Sequence, residues 1–161
     1  AKLLYDAHHM QANYMQDSFD DVEELSPADL SPELTKPFRG LRLWLPLQLF
    51  GIAPFRAALQ EKIWLCRYFY EAIQQIDGFE VGPYPELSVM IYRYVPKVGE
   101  ANAYNLDLVN RVKEDGRVFL SSTTIDGTIY IRLAVLSFRT HLSTINRCLD
   151  VLKELTQGAQ A

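Results

Sequence analysis

An arginine stands in the middle of the apolar stretch "GTIYIRLAVLSF", Gly127 to Phe138. Ile129, Ile131, Leu133 and Val135 occupy every second position, the period of a strand with one covered face. Arg132 then points the other way, with Tyr130 and Ala134. On the stretch just before, Phe119 also alternates with polar residues, so this second face is expected to be half covered. A buried charge needs a partner, because desolvation without one is costly. The planar guanidinium fork fits a carboxylate. The partner is either an internal acid or the acid group of a ligand arriving from a second domain. The residues alone leave both open, together with simple surface exposure.

Other reactive residue types carry less. His8 and His9 are adjacent, so they point to different faces, and no third ligand is spaced near them; a metal site is not expected. The acids Asp17, Asp20, Asp21, Glu23, Glu24 and Asp29 follow one another without a compensating base and lack a calcium-loop pattern. They read as a solvated, mobile loop. Cys66 and Cys148 each sit within a helical apolar pattern and read as reduced core thiols.

These groups need elements to position them. A chain of 161 residues is one domain, or one domain with an arm, and 48% of it is hydrophobic, enough for a sizeable core. The formal charge of −4 argues against a nucleic-acid partner. No apolar run reaches the ~20 residues that a membrane-spanning helix needs, and no secretory signal opens the chain. A cytoplasmic location is therefore expected, with no membrane partner. The chain starts at Ala1, which suggests a processed product or a piece of something longer.

Two Ser-Pro pairs, at Ser26 and Ser31, punctuate the acidic run. Leu41, Trp44, Leu45, Gln48 and Leu49 share a helical face, with Pro46 expected to kink or shorten the helix and Gly51 to end it. Pro54 fits a first helical turn. From there Phe55, Leu59, Ile63, Cys66, Tyr70 and Ile73 trace a stripe to about Ile76, with an exit turn at Asp77 to Phe79. The period then changes from 3.6 to 2. Leu87 to Pro96 predicts a strand with Leu87, Val89 and Ile91 on one face. "ANAYNLDLVNRVKEDG" predicts a helix carrying Leu106, Val109 and Val112. "RVFLSST" predicts a strand, "IDG" a turn, and Gly127 to Phe138 the next strand. The last helix presents Leu142, Ile145, Leu149, Leu152 and Leu155, with Thr140 as its N-cap. The expected fold is α+β: a small, mostly antiparallel sheet with helices packed on one face, preceded by helices and the acidic loop. The expected divisions are 1–32 as a loop segment, 33–76 as connecting helices and 77–161 as a small α+β domain.

Two blocks in order, "SPELTKPFRGLRLWLPLQLFGIAPFRAAL" and "GRVFLSSTTIDGTIYIRLAVLSFRTH", resemble the carboxyl-terminal part of the group II pyridoxal-phosphate-dependent amino-acid decarboxylases, which include the aromatic-amino-acid, histidine and glutamate decarboxylases. The resemblance runs from about Tyr14 to Leu155. It implies a carboxy-lyase that turns an L-amino acid into an amine and carbon dioxide, as a homodimer, with pyridoxal 5'-phosphate as cofactor. In that family the Schiff-base lysine follows a histidine in a large amino-terminal domain. No His-Lys pair occurs here; Lys2, Lys36, Lys62, Lys97, Lys113 and Lys153 all lack that context. The resemblance therefore implies a fragment, inactive by itself.

The resemblance assigns roles to particular residues. Tyr14, in "NYMQ", matches the tyrosine of a catalytic loop that closes over the neighbouring subunit's site and is thought to return a proton after carbon dioxide leaves. A phenol with a pKa of about 10 still carries its proton at neutral pH. Arg132 matches the arginine that meets the substrate α-carboxylate. Thr35 falls where many relatives have glycine, in the stretch that approaches the cofactor phosphate. Arg39 and Arg42 match basic positions read as structural. The alternative is a free-standing module that binds an amino acid through Arg132 without chemistry.

Overall fold

The computed structural model describes Asp6 and residues 38–157. The chain divides into two compact units, 1–52 and 53–161. In the first, helix α1 spans Leu41–Phe50. Pro46 lies inside it and does not end it. Gly51 does, at φ 70°, with its N–H donating to the Leu47 carbonyl at 3.0 Å. The expected apolar face of α1 buries none of its side chains; Leu43, Trp44, Leu49 and Phe50 are more than half exposed.

The second unit opens with helix α2, Ala53–Ile73, which buries Lys62, Leu65, Cys66, Phe69 and Ile73. Steps of three and four keep these side chains on one face. The expected stripe is correct at Cys66 and Ile73 but not at its start, since Leu59 is 67% exposed. The first two turns of α2 bury nothing, so apolar spacing there selects no core face.

Four strands follow: β1 Phe79–Val81, β2 Val89–Tyr94, β3 Ser121–Ile125 and β4 Thr128–Ala134. They form an antiparallel sheet in the order β1-β2-β4-β3. Helix α3, Ala101–Asp115, carries the chain from β2 to the β3–β4 hairpin, and helix α4, Leu142–Thr156, closes the fold. The α+β architecture is as expected. Met90, Tyr92, Tyr94, Ile131 and Leu133 from the sheet meet Phe69, Leu108, Val112, Ile145 and Leu152 from the helices in one core.

Two strands differ from expectation. In β2 the buried residues are Met90, Tyr92 and Tyr94, while Leu87 and Val89 are exposed and Ile91 is half-buried. Both faces of this strand are apolar, so alternation fixes no inward side, and the two tyrosines bury more area than the aliphatic set. β3 begins at Ser121, later than "RVFLSST" suggested, and Phe119 lies outside it, 77% exposed. Phe119 is therefore not on the face that carries Arg132.

The hairpin turn is as expected. Ile125 pairs with Thr128, and Asp126 and Gly127 both have positive φ, 48° and 77°, the conformation a two-residue turn between twisted strands needs. Glu100 caps α3 by accepting from the N–H groups of Asn102 and Ala103 at 3.0 and 2.7 Å. In that helix Leu108 takes the buried place expected of Leu106, which is 45% exposed. At α4 the N-cap is His141, not Thr140, and it makes no side-chain cap bond. The Thr140 carbonyl instead accepts from the Lys62 ammonium at 2.5 Å.

Candidate functional site

The tight β3–β4 turn sets the register of β4 against β3. Arg132 faces Ser121 on one side and Ile91 of β2 on the other. Ile131, Leu133 and Val135 point into the core, so Arg132 lies on the sheet face away from the helices. It is half-buried there, and its Nε–H donates to the Ser121 hydroxyl oxygen at 3.1 Å. Among the described residues no carboxylate comes within ion-pair distance of Arg132, and its two terminal amino groups have no hydrogen-bond partner.

Other guanidinium groups are differently placed. Arg93, on the same sheet face, donates to Glu80 through Nε at 2.9 Å and through Nη2 at 2.7 Å, and stands 5.9 Å from the centre of the Tyr130 ring. Arg111 pairs with Asp107 at 2.8 Å and donates to the Leu155 carbonyl at 2.9 Å. Arg117 is held by Asp115 at 2.7 Å and Glu154 at 2.5 Å. Arg132 thus offers the open edge of a planar fork, which is the edge that takes a carboxylate in two parallel hydrogen bonds.

Tyr14 and Thr35 lie outside the described residues, as do His8 and His9. Among the described residues no group of three His, Cys, Asp or Glu side chains could hold a metal ion, and no helix is long and apolar enough to cross a membrane. Both cysteines are free and buried, as expected of core thiols. Burial pushes Cys66 up to about 11 and Cys148 up to about 12, so neither supplies a thiolate nucleophile near neutral pH.

A cofactor held as an imine needs a free lysine amine. The buried lysine, Lys62, does not provide one. Its ammonium donates to Glu61 at 2.8 Å and to the carbonyls of Thr140 and, at 3.4 Å, Phe138. Lys62 therefore does not offer the free amine that such an imine needs.

Sequence reasoning missed two residues here. Nothing in the spacing around Lys62 marks it as buried, because its burial depends on where the chain turns after β4. Ser121 could have been found. Once the turn is centred on Asp126 and Gly127, strand pairing places Ser121 opposite Arg132 by counting outward equally from the turn.

No family model matches the chain. An aromatic-L-amino-acid decarboxylase of Bacillus atrophaeus is 27% identical over 98% of this chain and 34% of its own length. Tyrosine decarboxylase 2 of Arabidopsis thaliana is 30% identical over 66% of this chain and 20% of its own. The tryptophan decarboxylase of Catharanthus roseus, solved in complex with L-tryptophan, matches with a TM-score of 0.71 at 25% identity, covering 81% of this chain and 28% of that one. The chain thus spans about a third or less of the length of the relatives it matches.

Proposed function

We propose that this chain, similar in sequence and fold to the carboxyl-terminal parts of group II pyridoxal-phosphate-dependent amino-acid decarboxylases, serves an L-amino-acid carboxy-lyase in which Arg132 seats the substrate α-carboxylate. The observation that carries this reading is the half-buried guanidinium whose terminal amino groups face no acid among the described residues. The full protein breaks the bond between Cα and the carboxylate, releases carbon dioxide and places a proton on the carbon left behind. The electron pair freed by that cleavage needs an acceptor, the chemistry pyridoxal phosphate supplies, and we place the cofactor's lysine outside this chain. Tyr14 is the proposed proton donor, and Thr35 the proposed contact to the cofactor phosphate. Both assignments rest on the sequence resemblance, as does the homodimer.

The work of Arg132 is orientation. Two parallel N–H bonds fix the plane of the carboxylate and so the direction of the bond that breaks. The group is not the main source of rate. The carboxylate loses its charge as carbon dioxide forms, so the ion pair is stronger before the bond breaks than during it.

Replacing Arg132 by Ala in the full-length protein removes hydrogen bonds to a charged group, each worth about 1.5–3 kcal/mol. Losing even one such bond corresponds to a fall in kcat/KM of at least about 10-fold for the amino acid, with a raised KM and with bound cofactor, read by its absorbance, retained. Unchanged kinetics would remove Arg132 from the site. Binding of the amino acid without turnover in the wild-type protein would favour a non-catalytic module.

A further inference from the structure

Arg132 has a hydroxyl neighbour on the adjacent strand, Ser121. We infer that Ser121 is a positioning residue for the Arg132 guanidinium, an inference that rests on the carboxylate-binding role proposed for Arg132. Ser121 and Arg132 are direct cross-strand partners, and the serine hydroxyl takes the Nε–H at 3.1 Å. Nε is the nitrogen on the stem, so a bond there fixes the plane of the group and turns its two-nitrogen edge outward, where a carboxylate meets two donors at once. Among the described residues that edge has no rival. Ile91, the partner on the other side, is apolar. Glu80, the acid on this face, is already held by Arg93. A serine also suits the place by size, since its short side chain reaches the guanidinium stem without covering the fork. Without the hydroxyl the guanidinium rotates among several rotamers, and a ligand must order it on binding.

The test is a double-mutant cycle in the full-length protein. Ser121→Ala, Ser121→Thr, Arg132→Ala and the Ser121→Ala, Arg132→Ala double variant are assayed on whichever of L-tyrosine, L-tryptophan, L-phenylalanine and L-glutamate the wild type turns over fastest. The amine product of that substrate serves as a competitive inhibitor, because it lacks the carboxylate. Ser121→Ala is expected to lower kcat/KM by about three- to tenfold, the worth of one neutral hydrogen bond, and to leave the inhibition constant of the amine unchanged. Ser121→Thr keeps a hydroxyl and restores most of the loss. On the Arg132→Ala background the serine substitution has no further effect. If Ser121→Ala matches the wild type while Arg132→Ala is impaired, or if its loss persists on the Arg132→Ala background or extends equally to the amine, the positioning role is wrong and the carboxylate reading stands. If Arg132→Ala matches the wild type, the carboxylate reading fails and takes Ser121's role with it.

Discussion

Single side chains in this fold differ most in whether their polar atoms find partners. Arg93 and Arg132 share one sheet face, yet among the described residues the first is closed by Glu80 and the second is tied only through Nε. Tyr92 shows the same contrast inside the core. It is fully buried, with its ring packed 5.2 Å from Phe69 and 5.9 Å from Phe79, and its hydroxyl meets no hydrogen-bond partner among the described residues. Burial, and the nearby Cys148 thiol after it, push its ionisation well above the ordinary phenol value. A buried hydroxyl without a partner costs about 1–3 kcal/mol, and removing it while keeping the shape of the ring recovers that cost. Tyr92→Phe is accordingly expected to stabilise the protein by about 1 kcal/mol, raising its urea midpoint at unchanged slope. A loss of stability would mean that the hydroxyl is satisfied. The core gives no reason for the hydroxyl, and phenylalanine would fill the same place.

At the scale of elements, α3 does more than cover the sheet. Two asparagines one turn apart fasten it to the ends of two strands. Asn105, fully buried, accepts from the Tyr94 N–H at 2.8 Å and donates to the Tyr94 carbonyl at 2.8 Å and the Ala101 carbonyl at 2.7 Å. It completes the backbone pairing of β2 where the ladder with β4 has ended. Asn102 donates to the Gly127 carbonyl and accepts from the Ile129 N–H, both at 2.9 Å, holding the hairpin that carries Arg132. Asn105→Ala strands both backbone groups of Tyr94 in the core and is expected to cost about 2–4 kcal/mol. Asn102→Ala, at a half-buried site that water still reaches, should cost less, about 1 kcal/mol. Equilibrium unfolding of the two variants checks the order, and equal losses would overturn it. None of this was visible in the sequence, where α3 showed only its apolar period. The hairpin was legible because Asp126-Gly127 demands a particular backbone and that backbone fixes the pairing. β4 was legible because its two faces differ in polarity. β2 was not, because Met90, Tyr92 and Tyr94 compete with Leu87, Val89 and Ile91 for the inside. The stripe on α2 began too early because Leu59 has the right spacing but no sheet beneath it. Arg132 was legible as an oddity, while its freedom from acids depended on tertiary placement of Glu80 and Arg93.

Across the molecule, surface carboxylates tie separate elements of the second unit together. Glu61 of α2 binds His141 at the start of α4 at 2.7 Å as well as Lys62 at 2.8 Å. Beyond α3, Arg117 joins Asp115 to Glu154 of α4, so α4 is tied near both of its ends. The bonds from His141 and then Lys62 hold the Glu61 carboxyl below its ordinary 4.5. Those from Arg117 do the same for Asp115, ordinarily 3.8, and Glu154, ordinarily 4.5. A carboxyl whose folded value lies below its unfolded one binds fewer protons when folded. Its stabilising share is complete above the unfolded value and is lost as pH falls through the folded value. All three groups therefore act in the same direction, and the second unit should lose stability as pH drops below about 4.5. Each contribution is small because the groups face solvent and salt screens them. The distinguishing measurement is a comparison of variants. Glu61→Gln and Glu154→Gln should be slightly less stable than the wild type near neutral pH, and the difference should close on acidification, because protonation has already removed the charge the substitution removes. The gap should also narrow in about 1 M salt. If the variants keep a constant deficit from neutral pH to about pH 3, the lost contacts are ones of shape, and the charges joining α4 to its neighbours contribute nothing to its docking.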